Sequence, residues 1–186
     1  VRVDTGKEEL LEDVLTDMPL HEPVVVFYRF DHDARVIEAV CRRVGRPFYE
    51  VSGKRKQILE WKQEQVGEGQ SAGVVAVQVR AGEAGIDLSR ACYCIYYSLG
   101  FSLGDYHQSR RRVNRPGQTR SVRYYHLIAN STVDERVYRL LKNKQSVVQA
   151  LIDESRGEQR GRRHKRRSGD AGLPVWPYRR GAGSRP

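Results

Sequence analysis

Four arginines fall within six residues, Arg110, Arg111, Arg112 and Arg115, and the run is flanked by Gln108 and Gln118. A guanidinium is planar and permanently charged, and its fork of N–H donors matches phosphate oxygens. Arg112 and Arg115 are three apart, a spacing that puts them on one helix face, where the two groups could surround a phosphate. Pro116-Gly117 ends the element and would hold Arg115 at its edge. A solvated helix face also carries arginines, so the cluster alone leaves both readings open. A second candidate is the stretch Ala81-Gly-Glu-Ala-Gly-Ile-Asp-Leu88. Its glycines permit tight turns that could aim backbone N–H groups or Asp87 into a cleft. It is not a phosphate-gripping Walker A loop, since no GxxxxGK followed by Ser or Thr occurs in the chain, and a structural turn explains it as readily.

Other residues with chemical potential read as structural. Cys41, Cys92 and Cys94 make neither a disulfide framework nor a zinc ligand set, and Cys92 and Cys94 alternate along a strand as buried thiols would. Asp31-His32-Asp33 are consecutive, a poor arrangement for converging on one ion and a good one for capping a helix. No serine, histidine and acid can be joined into a hydrolytic triad by spacing. Tyr93, Tyr96, Tyr97, Phe101 and Tyr106 lack the interleaved basic residues of a base-stacking surface, so they read as packing.

The elements that must position these residues follow from periodicity. Lys7 to Met18 has helical spacing of Leu10, Leu11, Val14, Leu15 and Met18. Val24 to Tyr28, Phe48 to Val51, Val74 to Val79, Cys92 to Tyr97 and Val122 to Leu127 are short apolar runs of the kind buried inside a parallel sheet. Between them, Val36 to Val44 and Gln57 to Gln65 predict helices, and Asp31 or Asp33 could cap the first of these. Gly67, Gly69 and Gly73 predict a flexible loop before the third strand. Ser102 with Asp105 three positions on predicts the start of a helix running to Val113. Thr132 to Ile152 predicts a long helix with one broad apolar face. Strands alternating with helices imply an α/β fold with helices on both faces of a parallel sheet. Ligands in such folds meet the loops beyond the carboxyl ends of the strands. Loops 29–33, 80–88 and 98–115 are therefore expected at one edge of the sheet.

The chain has 186 residues, a mass of 21.4 kDa and a net charge of +10. The excess is uneven: residues 156–186 carry a net +8, so the high pI describes the tail more than the body. The expected division is a folded unit over 1–155 and a basic disordered tail over 156–186 that packs on nothing. No window is long and apolar enough to span a membrane, and the early charges do not fit a signal peptide. A cytoplasmic compartment, or the nucleus in a eukaryote, is expected. The start at Val1 rather than methionine reads as that of a fragment.

The order of these features resembles the second RecA-like lobe of superfamily-two helicases, in particular the Swi/Snf-like DNA translocases. That family's late motif has a glutamine, an arginine four positions later, an arginine three further on and a closing Gly-Gln. The chain has Gln108, Arg112, Arg115 and Gly117-Gln118. DEAD-box RNA helicases end the motif with a Gly-Arg pattern, which favours the DNA translocases. Val24 to Phe30 resembles the strand that opens the lobe, Gly53 the glycine after the second strand, Gly82 to Leu88 the loop that touches nucleotide and nucleic acid, and Ser131-Thr-Val-Asp-Glu135 with Lys144 the last helix start. Val79 stands where the family often has threonine, Gly82-Glu83 where it has two glycines, Asn114 where it has histidine, and Pro116 where it has an aliphatic residue.

The resemblance implies a RecA-like lobe that forms one wall of an ATP site. ATP and Mg²⁺ would be held mainly by an N-terminal lobe, in the same chain or another, since no Walker A lysine or metal-binding acid pair is present here and no metal site is expected. Arg112, Arg115 and Gln108 would be catalytic, and Gly85 and Asp87 would join them in binding the nucleotide. Arg29, Lys54, Arg80 and Gly82 would contact double-stranded DNA. The compact lobe, without large insertions, implies a phage or bacterial source. A reading of another class is a non-catalytic nucleic-acid-binding module on the same scaffold.

Overall fold

A computed structural model describes residues 6–80, 85–129, 132–159 and 175–178. In chain order they form α1 (Gly6–Asp17), β1 (Val24–Tyr28), α2 (Asp31–Arg43), β2 (Phe48–Val51), α3 (Ile58–Gln63), β3 (Val74–Gln78), β4 (Tyr93–Tyr96), α4 (Leu103–Val113), β5 (Arg123–Ala129), α5 (Val133–Gln159) and β6 (Val175–Tyr178). The strands make one sheet in the order β2-β3-β1-β4-β5-β6, and every pairing is parallel. The fold is RecA-like: a parallel sheet flanked by helices.

Alternation along the strands divides the core in two. Val24, Val26 and Tyr28 of β1 face the layer that contains Leu11, Leu15, Ile37 and Val40 from α1 and α2. Val25 and Phe27 face the opposite layer with Trp61 of α3 and Tyr106 and Val113 of α4. β1 is buried along its whole length, as its uninterrupted Val-Val-Val-Phe-Tyr run requires of a central parallel strand. Cys41 and Cys94 lie one in each core, and burial pushes the Cys41 thiol up to about 12. Both are packing residues, as the apolar surroundings of each dictate.

Arg46 fastens the α1–β1 connection. Its side chain is buried and donates to the carbonyls of Met18, Pro19, Leu20, Glu22 and Ala72. A guanidinium has enough donors in one plane to serve a bend in which those carbonyls point inward without helix or sheet partners.

Two expectations differ from the structure. α5 continues past Arg156 to Gln159, and Val175–Tyr178 pairs with β5, with Val175 opposite His126 and Tyr178 opposite Ala129. The tail therefore does not pack on nothing. Its charge count concealed a short β-prone run, and the open side of β5 offers unpaired backbone groups to such a run whatever the flanking charge. Pro177 is compatible with that position because β6 is an edge strand. The remaining tail residues, 160–174 and 179–186, lie outside the described residues.

The second difference concerns where the loops lie. Residues 29–33, 79–80 and 97–102 follow the carboxyl ends of β1, β3 and β4 and share one edge. The end of the 98–115 segment does not. Because β4 and β5 are parallel neighbours, α4 must run back across the sheet between them. Its eleven residues carry Arg112 about 15 Å from the carboxyl edge.

Candidate functional site

The arginine element is built from α4 and the turn after it. Ser102 caps the helix, its Oγ accepting from the Asp105 N–H at 3.2 Å, as the Ser102–Asp105 spacing predicts. α4 is bolted to the sheet by polar contacts among aromatics. Tyr96 and Ser109 share a hydrogen bond of 2.8 Å, and Tyr106 Oη meets His126 Nε2 at 3.1 Å. The His126 ring stacks on Tyr96 at 4.9 Å between centroids. Tyr96, Tyr97 and Tyr106 are thus buried packing residues, as expected, and Tyr93 is partly buried, whereas Phe101 is exposed because it lies in the turn before α4; the hydroxyl partners Ser109 and His126 carried no sequence signal.

The four arginines separate into distinct environments. Arg110 lies over the Tyr124 ring at 4.7 Å, and Arg111 is exposed. Arg112 is only 3% exposed, and its Nη1 has no hydrogen-bond partner among the described residues. Desolvation lowers the pKa of this guanidinium, and the charge of Arg115 lowers it further. Arg115 does not share a helix face with Arg112, because α4 ends at Val113 with Asn114 as its C-cap. It sits instead in a turn closed by the Gln118 N–H donating to Arg115 O at 3.0 Å. Pro116 at the second position and Gly117 at φ +99° at the third are what a type II turn needs. Gln108 is exposed, one helical turn before Arg112.

The crossover from β3 to β4 packs against this element. Leu88 N donates to Arg112 O at 2.9 Å. Gly85, at φ +118°, lies three residues before Leu88. Asp87 is committed locally: Oδ1 accepts from the Ser89 N–H at 3.0 Å and from Ser89 Oγ at 2.7 Å, and Oδ2 accepts from Lys62 Nζ at 3.2 Å. The Ser89 hydrogen bonds, with Lys62 adding to them, hold its carboxyl at about 2. Gly82 lies outside the described residues.

The expected nucleic-acid residues lie elsewhere. Arg29 and Arg80 line one pocket at the carboxyl edge with Gly100, Ser102 and Asp105. Arg29 also stacks over Phe30, whose ring is exposed. Lys54 stands apart, in a charged recess beside β2, with its Nζ 2.7 Å from Asp31 Oδ2. That contact and a Gln78 hydrogen bond lower the Asp31 pKa. Asp33 Oδ2 accepts from Phe30 N, so Asp33 closes the start of α2, while the N-cap itself is Phe30. Among the described residues no group of three or more His, Cys, Asp or Glu is placed to hold a metal ion. Among them, too, no helix is long and apolar enough to cross a membrane.

The structure thus forms two separate regions. One is the arginine element on the α4 flank, with Arg112 buried and the crossover at Leu88 to Ala91 hydrogen-bonded to it; the other is the Arg29–Arg80 pocket at the strand ends. Gln118 is the functional-region residue whose part in the site the spacing did not reveal. It donates from Nε2 to Ser89 O and Ala91 O and so ties the arginine turn to the crossover.

Comparison with known proteins agrees with this architecture. The family described as "Helicase conserved C-terminal domain" matches residues 6–117. The chain is 30% identical over 102 residues to the chromatin-remodeling ATPase INO80 of Mycosarcoma maydis, covering 55% of this chain and 5% of that protein. It is 25% identical over 158 residues to the DNA repair and recombination protein RAD54B of Homo sapiens, covering 81% and 17%. It is 26% identical over 156 residues to the ATP-dependent helicase fft1 of Schizosaccharomyces pombe, covering 82% and 16%. The chain therefore spans less than a fifth of the length of these relatives. Among solved structures, the C-terminal part of the Fun30 ATPase domain superposes with a TM-score of 0.64 at 23% identity, covering 73% of this chain and 45% of that one, a likeness of fold. The expectation of a phage or bacterial source is overturned, because these relatives are eukaryotic. Compactness followed from the absence of insertions within this one lobe, and insertions elsewhere in a longer protein leave no trace in it.

Proposed function

Since this chain belongs to the helicase conserved C-terminal domain family and is related to the Swi/Snf-family DNA translocases, we propose that it serves as the second lobe of an ATP-driven DNA translocase. The observation that carries this reading is Arg112. It is almost fully buried, one guanidinium nitrogen is unpartnered, and neither it nor Arg115 forms an ion pair among the described residues. An uncompensated buried cation costs several kcal/mol, on the order expected for a site completed by an anion from outside the lobe. A nucleotide phosphate held on a facing lobe is such an anion.

In this reading Arg112 and Arg115 meet the terminal phosphate region and stabilise the charge that spreads over its oxygens during transfer. The planar fork of each suits equatorial oxygens better than a point charge does. Gln108, exposed one turn earlier, positions the nucleotide. The facing lobe supplies the phosphate loop and the acids that hold Mg²⁺, and this lobe alone is expected to show no significant turnover. The charge-bearing turn becomes competent when the lobes close. Arg29 and Arg80 at the carboxyl edge, together with Lys54 in its recess beside β2 and with Gly82, serve the DNA backbone. The separation of this edge from the arginine flank supports two ligands bound at once.

The test uses this chain fused to a helicase first lobe. Arg112→Lys or Arg115→Lys should lower DNA-stimulated ATP turnover at least about a hundredfold, a lower bound set under the roughly 10³ to 10⁵ lost with an arginine finger because lysine keeps the charge, and leave nucleotide-free DNA affinity nearly unchanged. Arg110→Lys and Arg111→Lys should be mild. If turnover persists in the first pair while DNA affinity falls in all four, the lobe is a nucleic-acid-binding module and the catalytic reading is wrong.

A further inference from the structure

Arg115 lies outside any helix, so its backbone needs another restraint. The turn that holds it is closed by a single backbone hydrogen bond, from Gln118 N to Arg115 O. The Gln118 side chain supplies the rest. Nε2 donates to Ser89 O at 2.7 Å and to Ala91 O at 3.2 Å, and Oε1 accepts from the Arg120 N–H at 3.1 Å. Both ends of the carboxamide are used, and a carboxylate of the same shape could only accept.

The seat for this side chain is itself fixed. Asp87 Oδ1 takes both the N–H and the hydroxyl of Ser89, and Lys62 of α3 holds the other carboxylate oxygen. The same stretch, 87–91, gives the Leu88 N–H to Arg112 O. One short piece of crossover therefore grips the backbone of Arg112 directly and the turn of Arg115 through Gln118. Gly117, with φ +99°, leaves the turn free to adopt this shape but does not anchor it.

We infer that Gln118 is a positioning residue that sets Arg115 relative to Arg112, with the Asp87–Ser89 turn as its seat. This rests on the reading of the two arginines as the phosphate-facing pair. It assigns Asp87 a part in shaping the arginine element rather than in touching a ligand.

The test pairs two readouts on Gln118→Glu and Gln118→Ala. Amide hydrogen exchange is read on the chain alone. Both variants should speed exchange at the Gln118 amide at least tenfold and leave the amides of β1 and β3 unchanged. In the two-lobed fusion, kcat should fall at least tenfold while the KM for ATP and the DNA affinity stay within twofold. Wild-type exchange at Gln118 in the glutamate variant would overturn the inference, because that variant has lost the donor. Faster exchange with wild-type kcat would also overturn it, provided Arg115→Lys is inactive in the same fusion. Because exchange does not depend on turnover, a failure of the arginine reading is told apart by the arginine variants, whose exchange at Gln118 stays at the wild-type rate.

Discussion

Asp87 shows how a single side chain can be tied into local structure and still govern its neighbours. Its folded pKa, about 2, is below the ordinary 3.8, so its contribution to stability is present above about pH 4 and is lost as pH falls toward 2. The pair with Lys62 is partly exposed, and solvent screening reduces its value to about 1 kcal/mol. Urea unfolding of wild type and Asp87→Asn should differ by about that amount at pH 6, and the difference should shrink as pH falls through about 2; parallel curves across the range would show that the carboxylate is not held down in the folded state. Arg46 is the contrasting case, a buried cation used only for structure. Arg46→Met removes the guanidinium donor from five carbonyls, of which only those of Pro19 and Leu20 keep a backbone donor, and should cost about 3 kcal/mol in urea unfolding. Arg46→Lys should recover only part of it, since an ammonium cannot span that set in one plane. Nothing in the spacing around Arg46 distinguishes it from its exposed neighbours Arg42 and Arg43, because its partners come from two backbone stretches, 18–22 and Ala72, distant in the chain.

At the scale of elements, α3 is the least self-sufficient. It has six residues, too few to be stable alone, and is held by its surroundings. Trp61 Nε1 donates to Gly73 O at 3.2 Å, Glu64 Oε2 accepts from Gly73 N at 3.0 Å, and Arg90 lies over the Trp61 ring. A Cβ at Gly73 would come within 2.5 Å of the Tyr49 ring and 2.7 Å of Glu64 Oε1. Gly73→Ala should therefore cost about 1–3 kcal/mol and loosen α3, read as a lower thermal midpoint with a red-shifted Trp61 emission. An unchanged midpoint would mean that Tyr49 and Glu64 move aside freely. Composition around Gly67, Gly69 and Gly73 points to a flexible loop, but Gly73 is a glycine because α3 and the Tyr49 ring press against its backbone.

For the whole molecule, the charge asymmetry stands while the picture of a detached tail does not. β6 ties Val175–Tyr178 to the sheet, so simple truncation would mix a loss of charge with a bared strand edge. The cleaner variant replaces Arg162, Arg163, Lys165, Arg166 and Arg167 with glutamine and keeps β6. If the basic segment anchors duplex DNA, the slope of log affinity against log salt should shrink by about 0.9 for each phosphate no longer neutralised, with thermal stability unchanged. Equal slopes for the two proteins would remove the segment from the DNA-binding surface.

The apolar runs Val24–Tyr28 and Val74–Gln78, the capping pair Ser102 and Asp105, and the order from Gln108 to Gln118 were decided within a few residues of themselves. Local propensity, capping and motif spacing act over those distances, so the sequence alone determined the parallel α/β class and most of the elements, and it singled out Arg112 and Arg115 as the candidate pair. Where that pair lies was another matter. The parallel pairing of β4 and β5 sends α4 back across the sheet, and this separates Arg112 from Arg29 and Arg80 although all were expected at one edge. The ending of α4 before Arg115, the clamp of Gln118 on Ser89 and Ala91, and the strand at Val175 likewise depend on backbone groups distant in the chain. Such groups offer the same N–H and C=O whatever their side chains, so their pairing has no signature in residue type and only the assembled sheet decides it.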